Sequence, residues 1–404
     1  MKLTTVVLFV IFNIIYYLVF VIGIGALGFS GKTIHGFSPG NAVAISAMLF
    51  NFAQAIVGFG AAHLLFRNWK TNNFIHSPYQ GVPSKQLARL YAFAAIALLS
   101  YLSVSFSIFD INYSEAYKFR SENSSAAYLQ TLFYLFSAIS ISIYISLGKT
   151  FTPISVILIA AMVMIVLRTG DKNALAFLFF AMLYALRIYN TKIGISRIAL
   201  LSLLAIIILL FTSVLRFYRS GFDFQTALIL GFYNFDVLSL DGAGPFVSIL
   251  HTMDSRPEYL LGSKYINDIY NIIPRFIWPE RPITIPEEFA QSIIKDWQPG
   301  MGLGYSPYAE AQSNWGPNFI FVHFFMFGAV WFIVWGLFAR VFASICGSRD
   351  LISRIYYVFG VYLLLLSFRT TSLSFIKGMV HVFAAVFVVH ACNTLLHHAS
   401  RRLR

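Results

Sequence analysis

The chain has 404 residues, of which 58% are hydrophobic and 11% are charged, and its mean hydropathy is +0.73. Soluble domains carry about 45–50% apolar and about 25% charged residues, so this composition excludes a water-soluble enzyme, a disordered chain and a disulfide-rich secreted scaffold. The formal net charge of +13 is expected to reflect basic residues in the cytoplasmic loops of a membrane protein rather than nucleic-acid binding.

Ten apolar runs are long enough to cross a bilayer, which takes about 20 residues at a rise of about 1.5 Å per residue. In chain order they cover residues 5–27, 41–66, 87–109, 127–147, 152–168, 173–190, 196–216, 317–340, 351–368 and 375–396. The runs are continuous rather than alternating, which favours helices over the short alternating strands of a membrane barrel. The sequence therefore predicts an all-α polytopic integral membrane protein with about 10 transmembrane helices, in a range of roughly 9–12.

The basic residues orient these predicted spans. With the N-terminus inside, the inner segments hold 15 of the 29 basic residues, while Asp350 is the only one of the 16 acids among them. Lys and Arg concentrate in short cytoplasmic loops, so we predict that both termini are cytoplasmic. Cys346 and Cys392 then lie at or near the reducing side of the membrane.

One connection interrupts the series of spans and divides the chain into three segments. Residues 1–216 hold helices 1–7, residues 217–316 form a large outer loop, and residues 317–404 hold helices 8–10 and a basic tail. The loop carries eight of the 13 prolines, and residues 224–253 have the amphipathic spacing of a helix lying along the membrane surface. Loops of this length in compact proteins are usually functional.

Six arginines are predicted at or above the outer membrane surface, at the ends of spans or in the loop. They are Arg168, Arg216, Arg219, Arg275, Arg281 and Arg369. A guanidinium group binds phosphate through two parallel hydrogen bonds, so such a cluster suits a diphosphate. The alternative is that each arginine only extends its charge from a helix end into the interface.

Glu310 lies just before the eighth span, where a carboxylate can act as a general base towards a sugar hydroxyl. The alternative role is an ion pair that holds the loop down. Asp254 is a weaker candidate, and His251 and His381 are possible bases that are more typical of structural histidines. The chain has no phosphate-loop, zinc-helix or D-x-D motif, so we predict neither a cofactor nor a metal.

The loop carries a series of short motifs in a fixed order. They are Pro274-Arg275, Trp278-Pro279 and Arg281-Pro282, then residues 304–310 ending in Glu310, and finally Asn314-Trp315-Gly316. This order resembles the bacterial O-antigen polymerase (Wzy) family, the oligosaccharide repeat unit polymerases, over roughly 100 residues. Residues 216–221, with the sequence RFYRSG, are similar to the basic entry of that family's periplasmic loop.

The resemblance implies a GT-C-like glycosyltransferase in the bacterial inner membrane. Such an enzyme transfers a growing glycan from undecaprenyl diphosphate to a lipid-linked repeat unit in the periplasm, and a chain-length regulator is its expected partner. Glu310, Arg219 and Arg275 are then the expected catalytic residues, and the six arginines are expected to hold the diphosphate. Two alternatives stay open: an O-antigen ligase acting on the lipid A core, and a flippase for lipid-linked oligosaccharides.

Overall fold

The structure is a computed structural model. It describes residues 2–13, 42–66, 85–107, 124–147, 152–169, 177–179, 181, 214, 217–218, 222–233, 243–255, 259–273, 277–294, 304–346, 355–366 and 371–402. These residues are mostly helical, and none of them forms a strand. The all-α class predicted from the continuous apolar runs is confirmed.

The helices of the described residues fall into apolar helices and shorter loop helices. The apolar helices are α1 (Lys2–Asn13), α2 (Ala42–Phe66), α3 (Lys85–Phe106), α4 (Ser124–Ser146), α5 (Pro153–Thr169), α11 (Ile320–Cys346), α12 (Val361–Leu366, after a π-helical turn at Tyr356–Gly360) and α13 (Ser372–Arg402). The loop helices are α6 (Phe224–Tyr233), α7 (Ala243–Ser255), α8 (Ser263–Tyr270), α9 (Ile285–Ile293) and α10 (Pro307–Trp315).

Five helices of the described residues are long and apolar enough to cross a membrane. Their spanning windows are Ser46–Phe66, Lys85–Phe106, Tyr128–Ile145, Ile320–Phe338 and Ser374–Cys392, and Pro153–Val166 is a shorter apolar helix. These windows match the second, third, fourth, eighth, tenth and fifth predicted spans. The sixth and seventh predicted spans lie almost entirely outside the described residues, and the first and ninth are described in part.

The chain divides into two compact units. The first contains residues Met1–His76, Asp236–Val341 and Leu363–Met379, and the second contains Ser77–Phe235, Phe342–Tyr362 and Val380–Arg404. Each unit therefore combines helices that are distant in sequence.

In the first unit, small residues allow α2 and α11 to approach closely. A Cβ atom on Gly58 would lie 2.2 Å from the carbonyl oxygen of Phe321, and one on Gly328 would lie 2.7 Å from the Cβ of Ala62. Membrane helices associate through such small residues because their backbones can then pack tightly. Gln54 of α2 adds a polar contact: its Nε2 donates to the carbonyl of Pro317, in the turn before α11, at 2.7 Å.

The same contacts give the relative direction of the two helices. Along α2, the residues at 54, 58 and 62 meet residues 317, 321 and 328 in the same order. The two helices are therefore parallel, and the first turn of α11 lies beside the middle of α2.

In the second unit, α3 and α4 pack against each other in opposite directions. The hydroxyl of Ser140 donates to the carbonyl of Ala88 at 2.9 Å, and the rings of Tyr91 and Phe136 are 5.6 Å apart. Ala88 shares the buried face of α3 with two other small residues, Ala92 and Ala95. Small residues at this face allow the axes of α3 and α4 to lie close together. Helix α4 is the more enclosed of the two, since 78% of its spanning window is buried.

Candidate functional site

Glu310 lies on α10, whose ends are set by local sequence. Ser306 is the N-cap, its Oγ accepts a hydrogen bond from the N–H of Tyr308 at 3.1 Å, and Pro307 occupies the first helical position, where its missing N–H is not needed. Gly316 ends the helix with φ 79° and ψ 170°, a conformation that only glycine adopts readily.

Helix α10 is buried although its sequence, PYAEAQSNW, is largely polar. Its N-terminus is held by Ser248 of α7, whose Oγ accepts from the N–H of Ser306 at 3.0 Å. Its last carbonyls, on Ser313 and Asn314, accept from the N–H groups of Leu260 and Leu261 at 3.1 and 2.9 Å. Buried backbone groups require partners, so these bonds explain how a polar helix can lie in the interior of the loop.

The carboxylate of Glu310 is fully buried and joins α10 to the start of α13. Its Oε2 accepts from the backbone N–H of Ser372 at 2.9 Å, and its Oε1 accepts from the Ser372 hydroxyl at 2.7 Å. The first N–H groups of a helix lack partners within the helix and carry partial positive charge, so a carboxylate stabilises this end. Through these two hydrogen bonds Glu310 anchors α10 to the N-terminus of α13.

The same contact leaves the general-base role of Glu310 as a prediction. The side chain is 0% exposed, however, so its neighbours must move before a substrate can reach it.

Burial also shifts the pKa of two groups in the loop. It raises the pKa of Tyr305 to about 12, chiefly by desolvation and with a smaller contribution from the charge of Glu310. It lowers the pKa of His251 below 6.5, a shift that the nearby Asp254 partly opposes. His251 packs against the ring of Phe289 at 5.6 Å, in keeping with a structural histidine.

An apolar groove with a volume of about 190 Å³ lies beside this carboxylate, between α8, α11 and α13. Ser372, the partner of Glu310, is one of its lining residues, and His323 of α11 is another. The other lining residues are Tyr265, Ile269, Ile272, Met326, Phe327, Val330, Phe375 and Ile376. A buried acid and an apolar groove are therefore adjacent, and they share one serine.

Arg281 is the one member of the predicted arginine cluster whose side chain the structure describes. Its Nη1 donates to the carbonyls of Asn271 and Ile273 at 2.6 and 2.9 Å, so the guanidinium group closes the loop that joins α8 to α9. Arg168 ends α5, but its side chain lies outside the described residues. The remaining members also lie outside them: Arg216, Arg219, Arg275 and Arg369.

The aromatic residues of the loop differ in how accessible they are to a sugar. Tyr305 and Tyr308 are 4% and 2% exposed and belong to the core, where Tyr308 packs on Phe324 at 4.8 Å. Trp278 is 37% exposed and contacts Tyr270 edge to face; Tyr270 and Tyr259 are 45% and 56% exposed, so these three rings keep an open surface. His381, on α13, packs on Tyr128 at 4.5 Å, and its carbonyl accepts from that hydroxyl.

Three residues of this region were not singled out by sequence reasoning: Ser372, His323 and Tyr265. A weak signal existed for His323, because residues 323, 327 and 330 share a helix face at the spacing i, i+4, i+7. Ser372 is 62 residues from Glu310 along the chain, and no local pattern links two residues so far apart.

In comparisons with known proteins, no family model, no curated protein and no solved structure matches the chain.

Proposed function

We propose that the chain is a membrane glycosyltransferase of the GT-C-like kind that polymerises lipid-linked oligosaccharides, as an O-antigen polymerase does. Its donor is a growing glycan on undecaprenyl diphosphate, and its acceptor is a lipid-linked repeat unit. The proposal rests on the motif order of the loop and on the apolar helices that the loop connects.

One structural observation supports a lipid-linked sugar as the substrate. Ser372 donates its hydroxyl proton to Glu310 and also lines the apolar groove, so a buried acid and an apolar groove meet at one residue. A lipid-linked sugar needs both features: an apolar surface for its chain and an ionisable group near the sugar.

The reaction breaks the bond between the anomeric carbon of the donor glycan and the diphosphate oxygen. The hydroxyl of the acceptor sugar forms the new bond to that carbon, and its proton passes to the carboxylate of Glu310. The diphosphate leaves with the lipid carrier, and its growing negative charge is stabilised by Arg219 and Arg275, with support from the other four arginines. Such contacts accelerate the reaction only if they strengthen in the transition state.

The proposal includes the bacterial inner membrane, ten spans, cytoplasmic termini and a periplasmic loop. The parallel direction of α2 and α11 agrees with the predicted number of spans between these two helices, while the proposed orientation rests on the distribution of basic residues. Two parallel spans require an odd number of crossings between them, and five predicted spans lie between residues 66 and 317. A chain-length regulator is the proposed protein partner.

Deletion of the gene, followed by gel analysis of lipopolysaccharide, tests the proposal. Loss of a polymerase leaves a core that bears one repeat unit, and complementation restores the ladder. Bare core with accumulated lipid-linked polymer in the periplasm would indicate a ligase instead. Bare core with lipid-linked repeats held on the cytoplasmic side would indicate a flippase.

The arginine assignment is tested in the same strain. Arg219→Ala and Arg275→Ala are expected to abolish the ladder while the protein remains in the membrane, because each removes a phosphate ligand. Arg120→Ala is the matched control, since Arg120 lies in the predicted outer loop between the third and fourth spans. An unchanged ladder in both variants would refute the assignment.

A further inference from the structure

The apolar length of α11 places its first turns at the depth of the bilayer core. Residues 320–339 carry no charged side chain, and at about 1.5 Å per residue they cover about 30 Å, the thickness of that core. A second measure comes from α2, whose spanning window begins at Ser46. Gly58, about 18 Å further along α2, lies against the backbone of Phe321. By either measure, a segment packed beside α11 beyond Phe321 is below the outer edge of the core.

Helix α8 of the loop packs beside this part of α11. The hydroxyl of Tyr265 is hydrogen-bonded to Nδ1 of His323. Ile269, one turn further along α8, lines the apolar groove together with Met326 and Val330. Val330 lies about 15 Å along the axis of α11 from its first residue. Helix α8 therefore lies at the depth of the outer leaflet, although it belongs to the loop between two predicted spans.

Helix α8 exposes its apolar side chains. Ile266, Ile269 and Tyr270 are 57%, 61% and 45% exposed, which is comparable to the 64% of Val57 on α2. Met326, which lines the same groove, is 42% exposed, so the apolar surface runs from α8 onto α11. A surface helix in water turns its apolar side chains towards the protein core, and contiguous exposed apolar surface marks a contact with a protein or a membrane.

Polar groups at the two ends of α8 have partners, as a segment in a layer without water requires. In its first turn, Lys264 donates to a carboxylate oxygen of Glu288 at 2.6 Å. After its last turn, the carbonyls of Asn271 and Ile273 accept from Nη1 of Arg281 at 2.6 and 2.9 Å. These contacts allow the chain to enter and leave α8 without presenting bare polar groups to lipid.

We propose that α8 is immersed in the outer leaflet, with Ile266, Ile269 and Tyr270 against the acyl chains of membrane lipid. The bilayer is the partner of this surface, because the surface lies at bilayer depth and continues onto α11. The sequence predicts a helix on the membrane surface at residues 224–253, so α8 is a separate and deeper membrane contact of the loop. The inference requires that α2 and α11 span the membrane, and it does not depend on the proposed polymerase activity.

Depth-dependent fluorescence quenching of the full-length protein in liposomes tests this inference. In a background with Cys346→Ser and Cys392→Ser, single cysteines replace Ile269 on α8, Val57 on α2 or Gln291 on α9, and each carries the same fluorophore. All three side chains are exposed, so the label disturbs packing little. Val57→Cys is the matched control for lipid, and Gln291→Cys, on the polar side of a loop helix, is the matched control for water.

A nitroxide on the lipid acyl chains is expected to quench the label of Ile269→Cys as strongly as that of Val57→Cys. Iodide in the water is expected to quench it at least about tenfold less than the label of Gln291→Cys. Ile266→Cys, on the same exposed side of α8, repeats the measurement if Ile269→Cys does not fold.

Iodide quenching equal to that of Gln291→Cys would overturn the proposal, because α8 would then lie in water. Protection from both quenchers would also overturn it, and would indicate that a protein or a second copy of the chain covers α8. Lipid quenching in a protein that never polymerises would support the immersion of α8 and refute only the proposed function.

Discussion

The two roles of Glu310, anchor and base, separate in the variant Glu310→Gln. The amide has nearly the same size as the carboxyl group, its oxygen can accept from the N–H of Ser372, and its NH₂ can donate to the Ser372 hydroxyl. The anchor is therefore largely retained. The base is lost, because an amide cannot take up a proton at neutral pH.

The magnitudes differ enough to be measured. Hydrogen bonds to a charged group contribute about 1.5–3 kcal/mol each, so Glu310→Ala, which removes two, is expected to destabilise the protein by about 3–6 kcal/mol. Glu310→Gln loses only the charge assistance, about 1 kcal/mol. Loss of a general base lowers the rate by about 10²–10⁴, equivalent to about 2.7–5.5 kcal/mol of barrier.

The assay combines thermal unfolding in detergent with the initial rate of polymer formation. We expect Glu310→Gln to unfold within a few degrees of the wild type and to polymerise at least about 100-fold more slowly. Ser372→Ala is the control: it removes one donor to Glu310 and should lower stability while the rate changes less than about tenfold. A Glu310→Gln protein with the wild-type rate would refute the base and leave Glu310 an anchor.

Three further predictions concern the loop. Gly316→Ala should destabilise the protein by about 1–3 kcal/mol, because the φ of residue 316 is 79° and the new Cβ would lie 2.8 Å from the ring of Tyr259. Gly60→Ala is the control and should be tolerated, because no atom of the described residues lies within 4 Å of its new Cβ. Equal melting temperatures for the two variants would contradict this prediction. Burial lowers the pKa of His251 in the folded protein, so the neutral ring stabilises the fold above the unfolded pKa of 6.5, and this stability is lost as pH falls through the lower folded pKa. The variant His251→Phe cannot be protonated there, so its melting temperature should drop less between pH 8 and pH 5 than that of the wild type. An equal drop in both proteins would contradict this prediction. Arg281→Met should lower the melting temperature by removing both bonds to backbone carbonyls, whereas a raised donor KM at constant stability would instead favour the diphosphate role.

Much of the fold was predictable because apolar length carries the signal. Runs such as 41–66 and 317–340 exceed the thickness of a bilayer, and the described helices Ala42–Phe66 and Ile320–Cys346 coincide with them. The burial of α10 was not predictable, because its polar sequence has no apolar period. That burial depends on Ser248 and Ser372, each about 60 residues away in the sequence.

The candidate site was predictable only in part, for a similar reason. Glu310 stood out as an acid placed just before a span, but its bond to the start of α13 is a tertiary contact. His323 lies inside an apolar run, where one polar residue changes the hydropathy little. The fold places Tyr265 against its Nδ1 and leaves its Nε2 without a hydrogen-bond partner among the described residues. The charge of Arg281 indicated a role in binding diphosphate, but in the fold its guanidinium group donates to backbone carbonyls, which its sequence position could not reveal.

Reconstitution tests the central claim most directly. The purified protein is placed in liposomes with an undecaprenyl-diphosphate-linked repeat unit, without nucleotide sugars or ATP, and the products are resolved by chain length. The account predicts a ladder of polymers, with undecaprenyl diphosphate released as each linkage forms. Repeat units that stay unextended, or that only cross the bilayer, would contradict it.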